Sequence, residues 1–123
     1  MSLLVYFLPM NPKTDVSEFE REVVSTFGEG FGFESWRSKL WGHDVMAEIG
    51  CCLLNSLKHT YIYAFDNDIK ILKRDLHKVI DNIDLIEKKT HIPKEMIQER
   101  VDNALERIRV AENHSDKIGI CIG

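Results

Sequence analysis

Residues 66–113 read DNDIKILKRDLHKVIDNIDLIEKKTHIPKEMIQERVDNALERIRVAEN. Ile69, Leu72, Leu76, Val79, Ile80, Ile83 and Ile86 recur at steps of three and four, with one step of one, and charged residues fill the gaps. That spacing puts the aliphatic side chains on one face of a helix and the charges on the other. It predicts a long helix from Asp66 to near Thr90, with Asp66 and Asp68 capping its start. Pro93 then opens another helix at its first turn. Its stripe is Ile97, Val101, Ala104, Leu105, Ile108 and Ala111, while Glu99 with Asn103 and Glu106 with Arg109 keep the outer face solvated.

The pattern continues more weakly upstream. Asp15 and Glu18 have capping-box spacing, and Val16, Phe19, Val23 and Phe27 predict a helix over 15–27 that Gly28 and Gly30 stop. Trp36, Leu40, Val45, Ile49, Leu53 and Leu57 suggest a helix over 36–57, bent or broken at Gly42. Two apolar runs stand at the ends. Leu3 to Leu8 is continuous and stopped by Pro9, as in a strand covered on both faces. Ile118-Gly-Ile-Cys-Ile122 is its natural partner, because neither run is polar enough to lie exposed. Thr60 to Phe65 is β-branched and aromatic, compatible with a short strand or with a helix start. The fold class expected is α+β and predominantly helical: about four helices, with a small sheet joining the N- and C-terminal strands. With 123 residues and no linker or repeat, residues 1–123 form a single domain.

Charge narrows the function. The net charge is −4, and the first 65 residues hold 8 acids against 5 bases. Direct nucleic-acid binding needs a basic surface, so a basic protein partner fits better. No run is long enough to span a membrane, and nothing resembles an export signal, so the cytoplasm is the expected location.

No catalytic constellation emerges. Cys51, Cys52 and Cys121 read as reduced, buried thiols, and with no CxxC a zinc site is not expected. His43-Asp44 near Cys51 suggests a nucleophile pair, but Cys51 lies on a face expected to be buried. Gly28-Glu-Gly-Phe-Gly-Phe33 has no following Lys-Ser/Thr, and its acids would repel phosphate; it reads as a helix stop and an aromatic loop. Asp66-x-Asp68 fails as a calcium loop, because Ile71 and His77 stand where glycine and glutamate are required. Trp36 and Trp41 read as core or interface rather than a ligand clamp. The expectation is therefore no enzyme, no cofactor and no metal.

In size, acidity and lack of an active site, the whole chain resembles the immunity proteins that bacteria pair with contact-dependent growth inhibition toxins and other polymorphic toxins. Trp36-Arg-Ser-Lys-Leu-Trp-Gly42, Tyr63-Ala-Phe-Asp-Asn-Asp68 and Gly119-Ile-Cys-Ile-Gly123 carry the likeness. It is one of type, and no family residue is carried over. It implies an inhibitor that binds a cognate toxin domain, often a basic nuclease, and blocks its active site or substrate surface. The alternatives are a helical regulatory or scaffold module, acting through homodimerisation or helix docking, and a small-ligand binder built around the aromatic loop. Loops held by rigid helices commonly carry recognition. The expected partner contacts are the acids Glu29, Glu34, Asp44, Asp66 and Asp68, with Phe31 and Phe33 as apolar anchors.

Overall fold

Four antiparallel strands, in the order 30–33, 2–9, 118–122 and 62–64, form one sheet among the described residues, with the first and last strands of the chain at its centre. The structure is a computed structural model that describes residues 2–24, 28 and 30–123. Strand β1 is Ser2–Pro9, β2 Gly30–Phe33, β3 Ile62–Ala64 and β4 Ile118–Ile122. The α-helices are α1 (Ser17–Glu20), α2 (Asp44–Glu48), α3 (Cys52–Asn55), α4 (Asn67–Asp81), α5 (Ile83–Thr90) and α6 (Lys94–Asn113). A π-helical turn at Arg37–Trp41 and a 3₁₀ turn at Ser56–Lys58 complete the described elements.

The terminal strands pair as expected, with Val5 opposite Ile122 and Phe7 opposite Ile120. Both faces are not covered, however. Leu3, Val5 and Phe7 are buried on the helix side, whereas Leu4 is exposed and Tyr6 and Leu8 are half-buried. Residues 62–64 resolve as strand β3, paired to β4. The glycine-rich segment, expected to be a loop, contributes edge strand β2. Three steps along β2 answer two along β1, Ser2 lying opposite Phe33 and Leu4 opposite Gly30, so β2 bulges.

The helices are more broken than their periodicity suggests. The helix expected over 15–27 is one short turn, Ser17–Glu20, and residues 25–27 lie outside those described. Asp15 does act at its start, accepting hydrogen bonds from the amide and hydroxyl of Ser17 at 3.0 and 2.7 Å. Residues 36–57 divide into the π turn, α2, α3 and the 3₁₀ turn. The long helix from 66 divides at Asn82, whose side chain donates to the Lys78 carbonyl at 2.8 Å while its backbone leaves helical geometry. The last helix is continuous. It packs against α4 and α5 on one side and β1, β2 and β4 on the other. That double contact explains why α6 buries Asn103, Arg107 and Val110 in addition to its expected stripe.

Polar groups lock these layers. The Asp75 carboxylate is 1% exposed and accepts from the amides of Leu53 and Leu54 at 3.1 and 3.2 Å, capping α3 from across the interface with α4. Cys51 donates its thiol to the Asp75 carbonyl at 3.2 Å. Asn103 donates to the Gly30 carbonyl at 2.7 Å, and Trp41 donates its indole N–H to the Phe31 carbonyl at 3.2 Å, so two side chains hold the short strand β2 in place.

Candidate protein-binding face

The register divides β4 by chemistry. Ile118, Ile120 and Ile122 point to the helices with their partners Pro9, Phe7 and Val5. Gly119, Cys121 and Gly123 lie on the opposite side, beneath side chains from the neighbouring strands. Three rows result. In the central row Tyr63 of β3 and Tyr6 of β1 flank Cys121. At one end Phe65 lies over Gly119, which is opposite Leu8; at the other Tyr61 lies over Gly123, which is hydrogen-bonded to Leu4. A Cβ at either glycine would collide with the ring above it, so the absence of a side chain is what lets the rings lie flat. Phe33, opposite Ser2, stands on this same side at the β2 edge.

This face is apolar, aromatic and open. Leu4 is 41% exposed, Tyr61 46%, Tyr63 58% and Phe33 52%. The rings support one another: Tyr61 and Tyr63 stack at 6.3 Å between centroids, and Phe33 meets Trp36 edge-on at 5.7 Å. Tyr6 Oη and Cys121 Sγ share a hydrogen bond at 3.2 Å. That contact and burial push the Tyr6 phenol up to about 12, and burial raises the Cys121 thiol. Both stay neutral and belong to the apolar surface.

Charge flanks the two ends differently. Beyond Tyr61, Glu34, Arg37, Lys58, His59 and Thr60 line a shallow cleft of about 480 Å³. The Arg37 guanidinium sits over the Tyr61 ring at 5.4 Å and pairs with Glu34 at 2.7 Å. Beyond Phe65 lies a cleft of about 250 Å³ lined by Asp66, Asn67, Ile69, Lys70, Glu112 and Ser115. Asp66 has a positive φ of 49° with ψ at −116°, and its side chain makes no cap. The expectation that Asp66 caps α4 through its side chain is therefore corrected. A non-glycine residue held there is strained.

The expected contact residues scatter. Glu34 and Phe33 stand at one end of the face, and Asp66, with Asp68 in the first turn of α4, at the other. Asp44 opens α2, where His43 caps the helix by accepting from Val45 at 3.0 Å. Phe31 is corrected as an anchor: it is fully buried and stacked on Trp41 at 4.3 Å between centroids. Glu29 lies outside the described residues. Tyr61, Tyr63 and Leu4 were missed, because exposure of alternate residues emerges only once register is known.

Trp36 and Trp41 are core residues that meet edge-on at 6.3 Å. Cys51 is buried, and its thiol is pushed up to about 12 by burial and then by the nearby Asp75, opposite to what a nucleophile needs. Cys52, expected buried, is exposed. Among the described residues no three His, Cys, Asp or Glu side chains form a group able to hold a metal ion, and no helix is long and apolar enough to cross a membrane. Comparison with protein-family models, with curated proteins and with solved structures gave no match.

Proposed function

We propose that the chain is an immunity-type inhibitor that binds a cognate toxin domain through the outer face of its sheet. The observation that carries this reading is the row structure itself. Phe65 and Tyr61 lie over Gly119 and Gly123, and Tyr63 stands beside Cys121, leaving Tyr61 and Tyr63 half exposed in a sheet whose other side is core. Aromatic residues with little rotamer freedom are the usual anchors of protein interfaces. The net charge of −4, with Asp66 and Asp68 at one end of the face, suits a basic partner such as a nuclease domain. A cytoplasmic location and a role in growth inhibition belong to this same proposal.

The helix-docking alternative is supported less. Among the described residues, Leu85 is the one large, exposed apolar side chain on α4, α5 or α6, whereas the sheet presents Leu4, Phe33, Tyr61 and Tyr63. The test is binding to the product of the adjacent gene. Tyr63→Ala is expected to speed dissociation, and Asp66→Lys to slow association and flatten its salt dependence. Tight binding unaffected by both changes would move the contact off this face; absence of binding to the neighbouring product would remove the toxin reading.

A further inference from the structure

Two short turns meet beyond Tyr61, and each brings a cation to the cleft there. Arg37 starts the π turn Arg37–Trp41, and Lys58 ends the 3₁₀ turn Ser56–Lys58. Two separate features pin the turns together. Arg37 Nη1 donates to the Leu57 carbonyl at 3.1 Å. Behind that contact, a Cβ on Gly42 would collide with both the Arg37 carbonyl oxygen and Lys58 Cβ, so a glycine there lets the turns close up. Like charges held in one cleft repel each other, and an anion between them turns that repulsion into attraction. The Arg37 guanidinium is already aimed. Its Nε donates to Glu34 at 2.7 Å, and the group sits over the Tyr61 ring at 5.4 Å. The Glu34 and Leu57 bonds take two of the five N–H groups of a guanidinium and leave three for a ligand. Lys58 and His59 are exposed, and their side chains have no hydrogen-bond or ion-pair partner among the described residues. Thr60 and Tyr61 add hydroxyls able to donate. Glu34 is the one acid lining the cleft, and it is engaged on the Nε edge of Arg37.

We propose that this cleft binds carboxylates. A planar carboxylate matches the fork of a guanidinium, and Lys58 supplements the fork as a point charge. A phosphate dianion suits the cleft less, because it would set twice the charge beside the Glu34 carboxylate. The volume of about 480 Å³ admits a small polycarboxylic acid or a short run of acidic side chains. These two sources present the same group to Arg37 and Lys58. The proposal does not rest on the toxin reading: the cleft takes a free acid or an acidic segment whatever the partner of the aromatic face is.

The test uses the full chain alone, labelled with nitrogen-15 and followed by NMR at constant ionic strength. One titration uses tricarballylate, a second a tetraglutamate peptide blocked at both ends, and a third inorganic phosphate. The amides of Lys58, His59, Thr60 and Tyr61 and the Arg37 Nε signal are expected to shift together and saturate. The dissociation constant expected for tricarballylate is about 1 mM, the scale for a ligand of about a dozen heavy atoms. Saturation by tricarballylate alone assigns a small acid; tighter saturation by the peptide assigns an acidic segment. Lys58→Gln changes an exposed side chain and is expected to weaken binding about 2- to 5-fold. Arg37→Lys keeps the charge but loses the fork, and about 10-fold weaker binding is expected. Circular dichroism shows that each variant is folded. No saturation by either carboxylate below about 20 mM overturns the proposal. So do shifts spread away from the cleft, phosphate binding tighter than both carboxylates, or binding that survives both substitutions unchanged.

Discussion

Replacing Asp75 should expose how much of the helical layer hangs on one carboxylate. One of its carboxylate oxygens, Oδ2, accepts from the amides of both Leu53 and Leu54, and the group is 1% exposed. Asp75→Ala leaves two buried amides without partners, each worth about 1–3 kcal/mol in desolvation. The truncation also removes a charge that is itself costly to bury, so the net loss expected is about 2–4 kcal/mol. Asp75→Asn keeps the accepting oxygen and adds a donor without a ready partner, so about 1 kcal/mol is expected. The pH dependence supplies a second handle. Burial raises the Asp75 carboxyl above its ordinary value of 3.8, against the pull of the two amides. The folded state then holds the proton more tightly than the unfolded chain. The Asp75 contribution is therefore largest below the unfolded value and is lost as pH rises through the folded value. Urea unfolding of wild type and Asp75→Asn at several pH values isolates it: the stability difference should shift in favour of Asn as pH rises through that window. An Asp75→Ala loss under about 0.5 kcal/mol, or a wild-type–Asn difference flat in pH, would refute the assignment of this group as the interlayer cap.

Three further outcomes follow from the same geometry. With a thiol reagent at mildly alkaline pH, the native protein should react once, at exposed Cys52, and reach three thiols only on unfolding, because Cys51 and Cys121 are buried with raised pKa values; native reaction of all three would contradict their placement. Deleting residues 118–123 removes the strand between β1 and β3 and three fully buried isoleucines; at about 2 kcal/mol each, the loss rivals a small domain's whole stability, and far-UV circular dichroism should show an unfolded chain. Asp66→Gly relieves the positive φ at that position and should raise the melting temperature, by about 1 kcal/mol in stability, while weakening partner binding; equal loss of both would make Asp66 structural.

The helical layer was legible where periodicity and burial coincide. The stripes of α4 and α6 are the apolar positions named from spacing, and Pro93 stands at the start of α6. The misses have physical causes. Asn82 breaks the helix by a local side-chain bond that no hydrophobic period records. Gly32 has a φ of 101° with the Trp36 ring packed on it, so a glycine that looked like loop flexibility serves close packing against a strand. Asp75 carried a signal that could have been used: it falls on the same face as Leu72 and Val79, and a charge on an apolar stripe implies a buried partner. Phe31 failed as a surface anchor because β2 pairs with β1 and turns that ring onto Trp41.

The candidate face was the least legible part, and β4 shows why. Ile-Gly-Ile-Cys-Ile reads as a strand hidden on both sides, since none of its residues is polar. All five positions are indeed buried, but for two different reasons. The isoleucines are covered by helices. Gly119 lies under Phe65, and Cys121 stands between Tyr63 and Tyr6, rings that themselves stay partly in water. A polar residue at 119 or 121 would have marked the side as solvated, and a large one would have lifted the rings off the sheet. Small apolar residues do neither: they lower the floor of the face and let borrowed aromatics form its surface. The strand that looks most like core is thus the one that makes a flat, aromatic outer face possible.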